Sequence, residues 1–262
     1  MTIKEYVKVK KSYFKDFIKE YHLCPKLVIV QVGDNEASNR YVRNKVKDCE
    51  EVGIIAEVVK LSETIGTQEL VMEIEKRQRN CDGIIVQLPL PEHIDNKAVI
   101  AAIDINKDVD GFKEGSKFKP CTPKGIDLWL QHEGINVEGK HVVIIGRSEI
   151  VGKPMAKIMT DRNATVTLCH SKTKDLEKFV KMADLIICAV GKANFLDCSE
   201  ITVPVVDVGI NFVDGKLVGD CYNGGENVTP VPGGVGLLTR YALIANVMIS
   251  YLSEYAEMIF SE

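Results

Sequence analysis

No CxxC pair and no paired histidine spacing occurs among the eight cysteines of this 262-residue chain, which excludes zinc ribbons, zinc fingers and thioredoxin-like redox motifs. The thiols (Cys24, Cys49, Cys81, Cys121, Cys169, Cys188, Cys198 and Cys221) are scattered and read as reduced, mostly small core residues. A basic excess is missing as well: 33 Lys plus Arg face 37 Asp plus Glu, a net charge of -4, so nucleic acid is not an expected partner. No apolar run approaches the roughly 18 residues that a membrane helix needs. The stretches 27–32, 83–88 and 142–145 are all short, and no membrane span is expected. Residues 1–11 alternate charge with hydrophobicity and lack the apolar core of a secretory signal, which makes the cytoplasm the default location. What is present is an ordinary globular composition, 45% apolar and 27% charged, long enough for two medium domains.

Apolar residues recur at helical spacing from Ile3 through Tyr6, Val7, Phe14, Phe17, Ile18 and Tyr21, and stop before Pro25, predicting an N-terminal amphipathic helix. A buried strand over 27–32 follows, then a helix capped by Ser38 that runs to about Val52 with Val42, Val46 and Cys49 inward. Strands at 54–61 and 83–88 alternate with helices carrying Leu70, Val71 and Ile74 and covering 95–103. After the Gly- and Lys-rich stretch 111–119 the rhythm restarts with Thr122 as N-cap and Pro123 as first helical residue. Strands at 142–145, 165–168, 185–189 and 205–208 alternate with helices near 154–161 and at 176–181, and a last helix runs from Leu237 to about Tyr255. Continuous apolar strands between helices mean parallel sheets covered on both faces. The expected fold is therefore α/β with two domains: residues 1–120 with 241–262, and a Rossmann-like domain over 121–240, the C-terminal helix returning to the first.

The string from His141 to Pro154 is strand, glycine turn and helix, which aims backbone N–H groups toward an anion such as a pyrophosphate. Its glycines (Gly146, Gly152) do not follow G-x-G-x-x-G, so spacing alone is weak. The next strand ends in Cys169-His170-Ser171-Lys172-Thr173, hydroxyl and ammonium donors with no carboxylate, which suits a 2′-phosphate and favours NADP over NAD. Arg147 can meet a phosphate with two parallel donors. In the first half, Tyr41 and Lys45 are one helical turn apart, and Gln87 ends a strand where ligand sites of open α/β sheets gather. Asp108-Val109-Asp110-Gly111 is an acidic turn, with too few companions for a metal site.

Together these strings resemble the bifunctional methylenetetrahydrofolate dehydrogenase/cyclohydrolase family, from about Val32 to Ala245. The matching segments are Ala37-Ser38 with Tyr41 to Lys45, Gly83 to Pro91, Lys107 to Gly111, Pro120 to Gly125, Gly146-Arg147-Ser148 with Ile150-Val151-Gly152, and Pro230 to Gly236. The resemblance implies hydride transfer from 5,10-methylenetetrahydrofolate to NADP, then water addition to the methenyl product to give 10-formyltetrahydrofolate. It implies Lys45 as the central catalytic residue of hydrolysis, Gln87 as its positioning partner, Tyr41 packed on the folate and Asp110 bonded to the pterin. It places Gly146, Arg147, Ser148, Ser171 and Ile210 around the dinucleotide, Pro232, Gly233 and Gly234 near the folate, and suggests a homodimer. A lysine exchanges protons near neutrality only if its pKa falls from about 10.4, which a neutral amide partner permits and a carboxylate opposes.

Three departures stand out: no Asp-Gly-Lys start before the first helix, a link from Gly111 to Pro120 about ten residues shorter than usual for the family, and Leu237-Leu238 in place of Pro-Met, which frees a backbone N–H. Competing readings are a monofunctional dehydrogenase, a noncatalytic dinucleotide-binding sensor, and another two-domain dehydrogenase that would explain the second half alone.

Overall fold

The computed structural model describes residues 1–260, which form two compact bodies. One comprises Lys8–Cys121 and the segment from Arg240 onward; the other comprises Met1–Val7 and Thr122–Thr239.

In chain order the first half runs α1 (Ile3–Glu20), β1 (Lys26–Val32), α2 (Glu36–Val52), β2 (Ile55–Leu61), α3 (Thr67–Arg77), β3 (Gly83–Val86) and α4 (Asn96–Ala102). The strands form a parallel sheet in the order β2-β1-β3. Alternation along β1 explains its continuous apolar sequence: Leu27 and Ile29 face α2, while Val28, Val30 and Val32 face α3 and α4 through Leu70, Ile74 and Val99. Ser38 is not the cap of α2. Asn35 is: it stands in extended backbone and its side chain accepts the Ser38 N–H at 3.1 Å, so the helix begins at Glu36. Tyr21 also departs from expectation, lying beyond α1 and exposed, with its ring 4.8 Å from Phe17.

The second half runs α5 (Cys121–His132), β4 (His141–Ile145), α6 (Gly152–Asp161), β5 (Thr165–Cys169), α7 (Leu176–Lys181), β6 (Leu185–Cys188), β7 (Leu196–Asp197), β8 (Val205–Asp207), β9 (Asn211–Val213), β10 (Lys216–Val218), β11 (Cys221–Tyr222) and α8 (Val235–Phe260). A four-stranded parallel sheet has the order β5-β4-β6-β8. Val142 and Ile144 pack with α5 and α6, Val143 and Ile145 with the α7 side, so this sheet too is covered on both faces. Thr122 and Pro123 lie inside the first turn of α5, which starts one residue earlier, and the Thr122 hydroxyl meets that of Thr239 at 3.0 Å.

α8 starts two residues before the expected Leu237. The N–H freed by the absence of proline at Leu237 donates to Gly234 O at 2.9 Å, which extends the helix backward. The stretch Val235–Ser253 is also long and apolar enough to cross a membrane by length and composition, contrary to the short runs expected, and 61% of it is buried. Ala242, Leu243, Ile244, Val247 and Met248 belong to the core of the first body. The buried polar groups of α8 are answered by carbonyls: Asn246 donates to Val109 O at 2.8 Å and Ser250 to Asn106 O at 2.9 Å.

Six of the eight free thiols are buried and Cys24 is exposed. Burial pushes the Cys49 and Cys198 thiols up to about 12, so these stay protonated and inert near neutrality. Native protein treated with a chromogenic disulfide reagent should therefore show one fast thiol, lost in Cys24→Ser, with the remainder released on denaturation. A fast phase that survives Cys24→Ser would contradict this assignment.

Candidate active site

In the first body β1 is central, with β2 on one side and β3 on the other. The connection from β1 turns to β2 while β3 lies on its other side, so a switch point falls at the carboxyl ends of β1 and β3, the position where α/β sheets bind ligands. Gln87 extends β3 by one residue, its N–H donating to Val30 O at 2.8 Å. The Gln87 side-chain NH₂ donates to Leu88 O at 2.5 Å, which turns Oε1 the other way. Lys45, half-buried on α2, donates from Nζ to that Oε1 at 3.1 Å. The fold thus brings into contact the pair expected from the strand-end position of Gln87 and from the family resemblance.

The turn 108–111 runs beside β3, with Asp108 bridged to Ile84 and the Ile84 N–H bonded to Lys107 O at 2.9 Å. Asp110 is 8% exposed. Burial raises its carboxyl pKa, the Lys45 charge opposes the rise, and the neighbouring Asp108 carboxylate adds to it. Tyr41, half-buried one turn before Lys45, has its phenol pKa raised chiefly by burial. Lys45, Gln87, Asp110 and Tyr41 therefore belong to one body, and the first three interact: an amine with a neutral acceptor and a desolvated carboxyl nearby.

The second body repeats the topology, with β5 and β6 on opposite sides of β4. Gly146 directly follows β4 at φ +119, where a Cβ would lie 2.0 Å from Ala189 O; at Gly152 a Cβ would lie 2.0 Å from Gly146 O. Only glycine permits this tight strand-to-helix passage. The turn differs from expectation in one respect. Ser148 Oγ accepts the N–H groups of Val151 at 3.2 Å and Gly152 at 3.4 Å, and Ser148 O accepts that of Lys153 at 3.1 Å. The leading donors of α6 are thus already engaged within the chain. Exposed donors beside this turn are the Arg147 side chain and the Ser148 hydroxyl hydrogen, with Ser171 and Lys172 just beyond the end of the adjacent β5. This donor set fits a phosphorylated dinucleotide. Ile210 follows β8 and is 38% exposed. Pro232 and Gly233 are exposed and Gly234 is buried in the turn before α8.

Sequence reasoning missed the buried carboxylates Asp127, Asp207 and Asp220 of the second body. Asp207 ends β8 and accepts the N–H groups of Gly209, Asp220 and Cys221 at 2.9–3.0 Å. For Asp207 and Asp220 the available signal was an Asp at each end of an irregular glycine-containing segment, 207–220, rather than in a helix.

An amine with an amide partner at one switch point, and a glycine turn with phosphate-seeking donors at another, define a dinucleotide-dependent α/β enzyme. Residues 2–110 match the catalytic domain, and residues 120–255 the NAD(P)-binding domain, of tetrahydrofolate dehydrogenase/cyclohydrolase. The chain belongs to the tetrahydrofolate dehydrogenase/cyclohydrolase family. It is 47% identical to the bifunctional protein FolD of Lysinibacillus sphaericus, covering 88% of each chain, and 45% identical to that of Halalkalibacterium halodurans, covering 88% of this chain and 89% of the other. The crystal structure of the bifunctional FolD methylenetetrahydrofolate dehydrogenase/cyclohydrolase from Campylobacter jejuni superposes with a TM-score of 0.91 at 40% identity, covering 96% of this chain and 98% of that one. The Trypanosoma brucei enzyme, solved with NADP cofactor and an inhibitor, gives 0.90 at 28% identity over 97% of each.

Proposed function

We infer that this chain oxidises 5,10-methylenetetrahydrofolate to 5,10-methenyltetrahydrofolate with NADP and hydrolyses the product to 10-formyltetrahydrofolate. The observation that carries this reading is the Lys45–Gln87 contact at 3.1 Å beside buried Asp110, in a chain whose two halves match the two family domains. Residues 1–120 with 241–262 are assigned to folate and hydrolysis, and 121–240 to NADP. Bound NADP supplies the hydride acceptor for the methylene carbon.

Hydrolysis forms a C–O bond between water and the cationic methenyl carbon and then breaks the bond from that carbon to N5, with one proton released overall. Lys45 Nζ is proposed to take the proton of the attacking water and return it to N5 as the ring opens. Gln87 Oε1 holds Nζ in place without adding an anion that would favour the ammonium form. The Tyr41 ring is proposed to pack on the folate. Asp110, stripped of water, gains from a pterin N–H donor. Pro232, Gly233 and Gly234 are proposed folate contacts on the second body.

Gly146, Arg147, Ser148 and Ser171 are proposed to hold the dinucleotide, with Ile210 as an apolar wall. A charge-assisted contact contributes roughly 1.5–3 kcal/mol, so Arg147→Ala should raise KM for NADP by about tenfold or more while leaving KM for NAD nearly unchanged. An unaltered ratio of the two constants would remove Arg147 from 2′-phosphate recognition.

The reading includes a homodimer in the cytoplasm, acting on folates and on neither nucleic acid nor membrane. The net charge of -4 and the burial of most of α8's apolar stretch support the last two, and the family resemblance supports the first. Light scattering tests the dimer. The whole function is tested by following NADP reduction with methylenetetrahydrofolate and, separately, loss of methenyl absorbance. Purified protein that reduces NADP without speeding methenyl decay would overturn the bifunctional reading.

A further inference from the structure

Asp220 lies between β10 and β11 with no solvent exposure. Its Oδ2 accepts the N–H groups of Val190 at 2.6 Å and Gly191 at 2.8 Å, and its Oδ1 those of Lys192 at 2.8 Å and the Asn211 amide at 2.9 Å. Three successive backbone donors converging on one anion form the concavity that α/β proteins often offer to a ligand phosphate. Here the anion is the chain's own carboxylate.

The position of the two gripped segments gives the arrangement its meaning. Residues 190–192 follow β6, the strand across the switch point from β4, and the preceding Ala189 carbonyl is the atom that packs against Gly146. Asn211 opens β9 directly after Ile210, at the carboxyl end of β8. One carboxylate thus ties together the loops beyond β6 and β8. It is itself held: the Asp220 N–H donates to Asp207 Oδ1 at 3.0 Å, and a Cβ at Gly209 would stand 2.3 Å from Asp220 Oδ1, so that side has no room for the carboxylate to move.

We propose that Asp220 is a positioning residue for the dehydrogenase reaction, fixing the 190–192 loop and the Ile210–Asn211 segment as one wall of the NADP site. The assignment rests on the NADP reading given above. Because the loop's donors are already satisfied, this wall supplies shape to the cofactor, while phosphate recognition stays with the turn after β4 and the end of β5. Removing the charge weakens four part-buried hydrogen bonds at once, which frees both segments together.

The test uses the two activities of one polypeptide. Asp220→Asn keeps the volume but loses one acceptor oxygen and turns an NH₂ toward N–H groups. It should raise KM for NADP at least tenfold and lower dehydrogenase kcat, while hydrolysis of supplied methenyltetrahydrofolate, a reaction needing no NADP, stays within twofold. Asn211→Ala leaves the three backbone bonds to Asp220 and cuts the link to Ile210, and should raise KM for NADP about threefold with hydrolysis unchanged. A merely structural role would lower both activities in proportion, and that outcome in Asp220→Asn overturns the assignment. Unchanged NADP constants in both variants, measured beside an active native enzyme, overturn it too. A native protein that fails to reduce NADP at all overturns the functional reading itself.

Discussion

Lys45→Met should abolish hydrolysis of methenyltetrahydrofolate, lowering its rate by roughly 10³-fold, within the range that a positioned acid–base group supplies. Methionine matches the length of the lysine stem but cannot carry a proton, so the half-buried helix face around it keeps its packing. NADPH binding, measured by fluorescence, should be unchanged, because the proposed dinucleotide contacts belong to the other compact body. The partner residue gives a graded companion. Gln87→Glu replaces the neutral acceptor 3.1 Å from Nζ by an anion, which favours the ammonium form and should slow hydrolysis by at least tenfold at neutral pH. Hydrolysis at the native rate in Lys45→Met would remove this amine from the mechanism.

Both sheets were legible because buried parallel strands need nearly continuous apolar runs, and 27–32, interrupted only by Gln31, and 142–145 are such strands. The Lys45–Gln87 pair was legible for a related reason. A helix turn fixes which face Lys45 shares with Tyr41, and a strand end fixes where Gln87 emerges. The start of α2 was misplaced because Asn35 and Ser38 both suit a cap, and only geometry shows that Asn35 accepts the Ser38 N–H. β7, β9, β10 and β11 are two or three residues long, below the length at which alternation carries a signal. The apolarity of α8 escaped a search for contiguous runs because Thr239, Arg240, Asn246 and the serines interrupt it, although Arg240 is the one charge between residues 235 and 253. The role of Asp220 depends on a loop about 30 residues earlier in the chain, a distance that no local pattern spans.

Gly146→Ala should produce the largest loss on the dinucleotide side. Two independent costs add at this position. The backbone stands at φ +119, which side chains rarely adopt, and the new methyl would sit 2.0 Å from Ala189 O. The obstacle is main chain, and the loop that follows it is held by the Asp220 carboxylate, so it cannot yield as a flexible side chain would. Strain of this kind plus forced repacking costs on the order of 3 kcal/mol or more. In a protein of this size, that lowers a melting temperature by about 6 °C or more. KM for NADP should rise at least tenfold, because the turn from β4 into α6 cannot keep its path past Ala189. Hydrolysis should survive in the fraction that remains folded, since Lys45, Gln87, Tyr41 and Asp110 all lie in the other body. The decisive comparison is Gly146→Ala against Lys45→Met: the first should impair use of NADP and the second hydrolysis, each leaving the other function in place. Loss of both activities in either variant at a temperature where it is fully folded would contradict the division of chemistry between the two bodies.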